Sequence, residues 1–100
     1  MKSNSTLASF KKRRSWLRIA ENILRICIDG SNTTEIVYGS NIAFSRFSKY
    51  ITFLLEKDML CELNDERKVY RTTERGMRFL DLMNEIDGLL EESPLKTTIS

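Results

Sequence analysis

Between Thr33 and Leu55 the chain reads TTEIVYGSNIAFSRFSKYITFLL. Apolar residues at helical spacing begin at Ile36, break at Gly39-Ser40-Asn41 and resume from Ile42 to Leu55. Two helical segments joined by so short a polar corner must pack at a steep angle. One side of the second segment is then buried and the other projects. The projecting side carries Ser45, Arg46, Ser48, Lys49 and Thr52.

The segments around this corner can be read from their periods. Ser15 is a natural N-cap for a first helix running to about Ile28, with Trp16, Ile19, Ala20, Ile23, Leu24 and Cys27 as its apolar stripe. Asp29-Gly30 stops it, Gly30 being able to take the left-handed cap. Asn32-Thr33-Thr34-Glu35 resembles a capping box, so a short second helix is expected over 33–38, ended by Gly39. A third helix is expected over 45–57, capped by Ser45, with Phe47, Ile51, Leu54 and Leu55 inward and Tyr50 beside them. Ile42 and Phe44 are expected to plug the core at the corner. Met59–Leu63 and Lys68–Thr72 then read as strands joined through Asn64-Asp65-Glu66-Arg67, a hairpin. Thr73 caps a last helix from Glu74 to about Glu92, and Pro94 ends it.

Several function classes drop out. With 100 residues the chain supports one domain and a small core. It has no histidine, the commonest general base and metal ligand. No nucleophile elbow, P-loop or dinucleotide fingerprint occurs. No catalytic constellation, cofactor, metal site or small-molecule substrate is indicated. Cys27 and Cys61 are too few and too scattered for a zinc site or disulfide framework, and read as small core residues of a protein from a reducing cytoplasm. No apolar run approaches the ~20 residues of a membrane span, and no secretory signal is visible.

The charge is unevenly placed. The net charge is +2, yet residues 1–18 hold Lys2, Lys11, Lys12, Arg13, Arg14 and Arg18 with no acid. Residues 81–92 hold Asp81, Glu85, Asp87, Glu91 and Glu92 with no base. A basic front favours contact with a polyanion.

The order helix, helix, helix, two-strand hairpin, helix is that of a winged helix-turn-helix, mainly α with a small β-hairpin. The expected organisation is a flexible basic arm (1–14), the winged domain (15–73), a dimerisation helix (74–92) and a disordered tail (93–100). Double-stranded DNA is the expected partner, with the helix over 45–57 in the major groove. There Arg46 can bond guanine bidentately, and Ser45, Ser48, Lys49 and Thr52 can reach base edges or phosphates. The wing, 64–68, would lie on the backbone through Arg67 and Lys68. Asp65 and Glu66 beside them leave open the other reading, a charged tip that protects a sheet edge. Lys11, Lys12, Arg13 and Arg14 either track phosphates or serve solubility. Free N–H groups near Thr33 and Thr34 offer a phosphate cradle, as at any helix start. Trp16 is a core anchor on the stripe of the first helix.

The last helix has more apolar surface than one small domain covers: Phe79, Leu82, Ile86 and Leu89 in one line, Leu80, Met83 and Leu90 in another. At about 1.5 Å per residue it spans roughly 28 Å. Either its last turns meet a second copy, through Phe79, Leu82, Met83, Ile86, Leu89 and Leu90, or it folds back on its own domain.

Glu35-Ile36-Val37-Tyr38-Gly39-Ser40-Asn41-Ile42, Ser45 with Tyr50-Ile51 and Leu54-Leu55, and Tyr70-Arg71-Thr72-Thr73-Glu74-Arg75-Gly76 leading into Phe79-Leu80 carry a further signal. Over about residues 15–90 the chain resembles the small archaeal winged-helix proteins, including the chromatin-associated ones that dimerise through a C-terminal antiparallel coiled coil. That resemblance implies duplex DNA binding by a homodimer in an archaeal, nucleoid-associated setting, as transcriptional regulator or architectural protein. The last helix is shorter than in the long coiled-coil members, and its second half is acidic. The alternative is a winged helix that binds proteins and not DNA.

Overall fold

A computed structural model describes residues 15–64 and 66–91. The expected basic arm and tail lie outside these residues. The fold is mainly helical, four helices with a small antiparallel sheet. The helices are α1 (residues 15–26), α2 (Thr33–Ser40), α3 (Phe44–Glu56) and α4 (Glu74–Glu91), and the strands are β1 (Ser31–Asn32), β2 (Leu60–Asn64) and β3 (Val69–Thr72). The helix–helix–helix–hairpin–helix order expected from the periods is present.

Ala20, Ile23, Leu24 and Cys27 from the α1 segment meet Ile36 of α2, Phe47, Tyr50, Ile51 and Leu54 of α3, and Leu60, Tyr70 and Leu80 from the wing and α4. Trp16 rests on this core, its ring edge-on to Phe53 at 4.6 Å and tilted over Tyr50 at 5.4 Å. The anchoring role expected for it is the one it has.

The ends of the elements depart from expectation in instructive ways. Ser15 is already inside α1, and α1 stops at 26, short of Ile28. The capping box at Asn32 and Glu35 forms in both directions, at 2.9 Å each. Gly39 does not end α2. The helix runs through it to Ser40, and the left-handed residue is Asn41 (φ 56°). What Gly39 supplies is space, because a Cβ there would sit 2.7 Å from Cδ1 of Ile26. Ser45 does not cap α3 either. Ala43 holds the cap position and supplies no side-chain hydrogen bond. Ile42 is half-buried against the core, whereas Phe44 is exposed, so only one of the two residues assigned to the corner plugs it.

The third strand was not expected. β1 is two residues long, too short for any period to register, and it pairs with β3 to give the order β1-β3-β2, all antiparallel. Gly30 (φ 97°) makes the entry to it. β3 is also tied to α1: the buried Thr72 hydroxyl donates to the Leu24 carbonyl at 2.6 Å, and the Thr72 N–H donates to Cys27 O at 3.0 Å. The wing is thus fixed to the first helix. Cys27 is buried as expected; Cys61 is only half-buried on β2, and both thiols are free.

α4 starts at a Thr73 cap, whose hydroxyl accepts from Gly76 N at 3.1 Å. It is clamped to α1 by a polar network. The Glu21 carboxylate is buried and takes Arg18 (2.8 Å) and Arg25 (2.5 Å); Arg18 reaches on to Asp87, and Arg25 to Asn84 at 2.6 Å. Desolvating a carboxylate is costly unless it is paired and hydrogen-bonded, and here two guanidinium groups supply both.

Candidate nucleic-acid interface

The packing of α3 decides what its outer side can do. Phe47, Tyr50, Ile51 and Leu54 turn into the core. With 3.6 residues per turn, Ser45, Ser48, Lys49 and Thr52 fall within one outward arc about 100° wide. All four are exposed, as is Arg46 at the side of that arc. No acidic residue occurs on α3 until its last residue, Glu56. Among the described residues neither Arg46 nor Lys49 has an ion-pair partner. The cations of this face are therefore uncompensated, and they can neutralise an anion without first breaking a native contact.

Two exposed aromatic rings belong to the same region and were missed. Tyr38, near the end of α2, is 82% exposed, and Phe44, the first residue of α3, is 71% exposed. Phe44 was expected to plug the core at the corner, and Tyr38 only to end the second helix. Tyr38 lies on the side of α2 opposite buried Ile36, and Phe44 stands beyond the core because α3 starts earlier than the serine signal suggested.

The wing tip is built by Asn64. Its side-chain oxygen accepts from the N–H groups of Glu66 (2.9 Å) and Arg67 (3.1 Å), and its carbonyl accepts from Lys68 N (2.9 Å). Lys68 sits in the left-handed region (φ 53°). Arg67 and Lys68 are both exposed but differ in state. Lys68 Nζ lies 3.4 Å from Glu62 Oε2, whereas Arg67 has no ion pair among the described residues. Behind the tip, burial pushes the Tyr70 hydroxyl above its ordinary range, helped by the Glu62 carboxylate.

At the start of α2, Thr33 is half-buried and Thr34 exposed. The Glu35 carboxylate stands in the same first turn, bonded to the Asn32 N–H. An anion approaching Thr33 and Thr34 meets that negative charge, which weakens the cradle. Lys11, Lys12, Arg13 and Arg14 lie outside the described residues.

On α4 the expected interface residues divide. Met83 is buried and Phe79 half-buried; both turn toward their own domain. Leu82, Ile86, Leu89 and Leu90 remain exposed, the last two at 74% and 64%. Phe79 and Leu82, with Met59, Arg75 and Arg78, line a shallow cavity of about 230 Å³. The inner side of α4 thus folds back on its own domain, and its outer stripe stays uncovered. Among the described residues no helix is long and apolar enough to cross a membrane.

Comparison with known proteins agrees with this architecture. A family model described as Winged helix-turn-helix matches residues 13–91. The chain is 28% identical over 93 residues to an uncharacterised protein of Methanocaldococcus jannaschii, covering 92% of this chain and 93% of that protein. It is also similar to the crystal structure of Sso10a-2, a DNA-binding protein from Sulfolobus solfataricus. That similarity has a TM-score of 0.67 and 27% identity, and covers 75% of this chain and 80% of the other.

Proposed function

The chain belongs to the winged helix-turn-helix family, and from that premise we propose that it binds double-stranded DNA as a homodimer. α3 enters the major groove with Arg46 and Lys49 leading and Ser45, Ser48 and Thr52 beside them. Arg67 and Lys68 on the wing, and Lys11 to Arg14 ahead of α1, contact phosphates. The observation that carries this reading is the outward face of α3, cationic and free of acid until Glu56. The likeness to Sso10a-2, itself described as DNA-binding, supports it.

The dimer rests on a different observation. Leu82, Ile86, Leu89 and Leu90 form an uncovered apolar stripe on a helix already clamped to its domain. Water-exposed stripes of this kind mark association surfaces. α4 carries Glu74, Arg75 and Arg78 in its first turns and Asp81, Glu85, Asp87 and Glu91 after them, so its start is weakly basic and the rest acidic. An antiparallel second copy sets opposite charges beside each other. Such a dimer docks its reading helices in successive major grooves, about 34–36 Å apart. Its role is that of a transcriptional regulator or chromatin-associated protein in the nucleoid of an archaeal cell.

Fluorescence anisotropy with a mixed-sequence duplex, over a salt series, tests the first part. Binding should weaken steeply with salt. Arg46→Ala with Lys49→Ala should weaken it by tenfold or more, since a base-contacting arginine contributes about 1–3 kcal/mol. Binding unchanged in the double variant would show that α3 does not carry it. An absence of salt-sensitive retention would favour the protein-binding alternative. Sedimentation of the wild type and of Ile86→Glu with Leu89→Glu tests the second part. The wild type should run as a dimer and the variant as a monomer.

A further inference from the structure

Phe44 leaves a large apolar ring in water at the leading end of α3. Exposure of a ring forgoes on the order of 1.5–3 kcal/mol of burial. One side of the ring meets a neighbour. It stacks on Phe47 with centroids 6.2 Å apart and planes 17° apart. Phe47 is itself buried, and its ring meets Tyr70 of β3 edge-on at 6.5 Å. Three rings therefore form a ladder from the wing strand to the surface, with the outer face of the last one open.

What could cover it follows from its neighbours. Ser45 follows it and Ser48 stands about one turn on, both exposed; Arg46 and Lys49, exposed as well, lie well round the helix from the ring. No acidic residue shares the first turns of α3. A partner that spans this end of α3 therefore meets the ring on one flank and the cations on the other, and must offer a small apolar group and negative charge across the width of one helix. The major groove of duplex DNA does so. Its walls are phosphates, and the apolar group on its floor is the C5 methyl of thymine. The N-terminal residues of a reading helix are the ones that reach base edges in this docking.

Resting on the DNA-binding reading above, we propose that Phe44 is a specificity-determining residue that packs against a pyrimidine C5 methyl group in the major groove. Thymine carries that methyl, and so does 5-methylcytosine. Phe44 supplies preference for the methylated base, while the flanking cations supply affinity that does not depend on it.

The test replaces thymine by deoxyuridine throughout a duplex, which removes the methyl and leaves the base-pairing intact. A second pair of duplexes compares cytosine with 5-methylcytosine. Wild-type protein should prefer the thymine duplex by about fourfold per protomer, the affinity equivalent of one buried methyl at about 0.8 kcal/mol. Phe44→Ala should bind the thymine duplex as weakly as the uracil one. Its affinity for the uracil duplex and its salt slope should match the wild type, and far-UV circular dichroism should be unchanged because the side chain is exposed. Phe44→Leu should keep part of the preference. A gain with 5-methylcytosine shows that the methyl is read in either base; a gain with thymine alone assigns it to A·T pairs. Equal binding of thymine and uracil duplexes by the wild type overturns the inference and leaves DNA binding standing. So does a preference that survives Phe44→Ala. Binding to neither duplex overturns the DNA-binding reading itself, and this inference with it.

Discussion

Gly76 leaves no room for a side chain beside Met59: a Cβ there would lie 2.3 Å from the main-chain oxygen of Met59. It would also lie 2.6 Å from Cγ2 of Thr72. The first turn of α4 is thereby pressed onto the entry of β2 and the end of β3. Helix propensity alone would favour alanine over glycine by about 1 kcal/mol. Here the obstacle is backbone and has nowhere to move. Gly76→Ala should lower stability by about 1–3 kcal/mol, the usual range for overpacking. Gly88, on the same helix, has nothing within 4 Å of its would-be Cβ. Gly88→Ala should raise stability by up to about 1 kcal/mol. Urea denaturation of the two variants checks both signs, and a stabilised Gly76→Ala would contradict the close approach.

The wing offers two cations in different states, and they should behave differently. Arg67 is unpaired among the described residues, so Arg67→Ala should reduce the slope of log K against log salt for duplex binding by about one. Lys68 shares its charge with Glu62 at 3.4 Å, so its loss should reduce the slope by less. Lys68→Gly is the cleaner variant because it keeps the left-handed turn that φ 53° requires. If Lys68→Gly changes the slope more than Arg67→Ala does, the cation that faces the duplex has been misassigned.

The element order, the core stripe of α1 and the capping box were legible in the sequence because each is a local pattern that tertiary packing did not overrule. The corner was only half legible. Gly39 and Ser45 carry the right residue types for a stop and a cap, yet both sit inside helices. Gly39 lies close against the Ile26 side chain, a contact between helices that no local pattern records. That misreading moved both helix ends and hid Phe44 as a surface residue. The outward set of α3 survived the shift because a change of one residue at the start does not alter which side of the helix faces the core. β1 was illegible for a different reason: its two residues pair only because α1 and β3 bring a partner to them. Glu21 likewise reads as an ordinary surface charge, and only the fold reveals it as the buried centre of the clamp.

That clamp predicts where the molecule opens first. Arg18 joins Glu21 to Asp87, and those hydrogen bonds, to Asp87 above all, hold its guanidinium above the usual arginine range. Arg18→Ala should leave the core packed, since Leu80 and Met83 stay buried, but should release the last turns of α4. Hydrogen exchange should quicken over residues 85–91 while that of α3 and β3 changes little. Glu21→Ala should cost more in global stability, about 1–3 kcal/mol, because it removes the buried carboxylate that half-buried Arg18 and exposed Arg25 share. Uniform acceleration across the domain in Arg18→Ala would mean that α4 is not a separately opening unit.

Cys27 sets the alkaline limit of the fold. Burial, aided by the charge of Glu35, pushes its thiol from an ordinary 9.0 up to about 12. Between those values the unfolded chain has released the proton and the folded one retains it. The unfolded state then binds fewer protons, so stability falls as pH rises. The contribution is intact below about pH 9 and is lost progressively toward pH 12, at up to roughly 1.4 kcal/mol per pH unit. Tyr70, also raised chiefly by burial, acts in the same direction at the upper end of this window. Urea midpoints measured from pH 8 to 11 should decline in the wild type and in Cys61→Ala, and decline less in Cys27→Ala. The same burial predicts thiol labelling at pH 8: half-buried Cys61 should react in the folded protein, and Cys27 only when urea is added. Rapid labelling of Cys27 in the native state would show that the joint between α1 and the wing opens far more readily than its buried Thr72–Leu24 hydrogen bond implies.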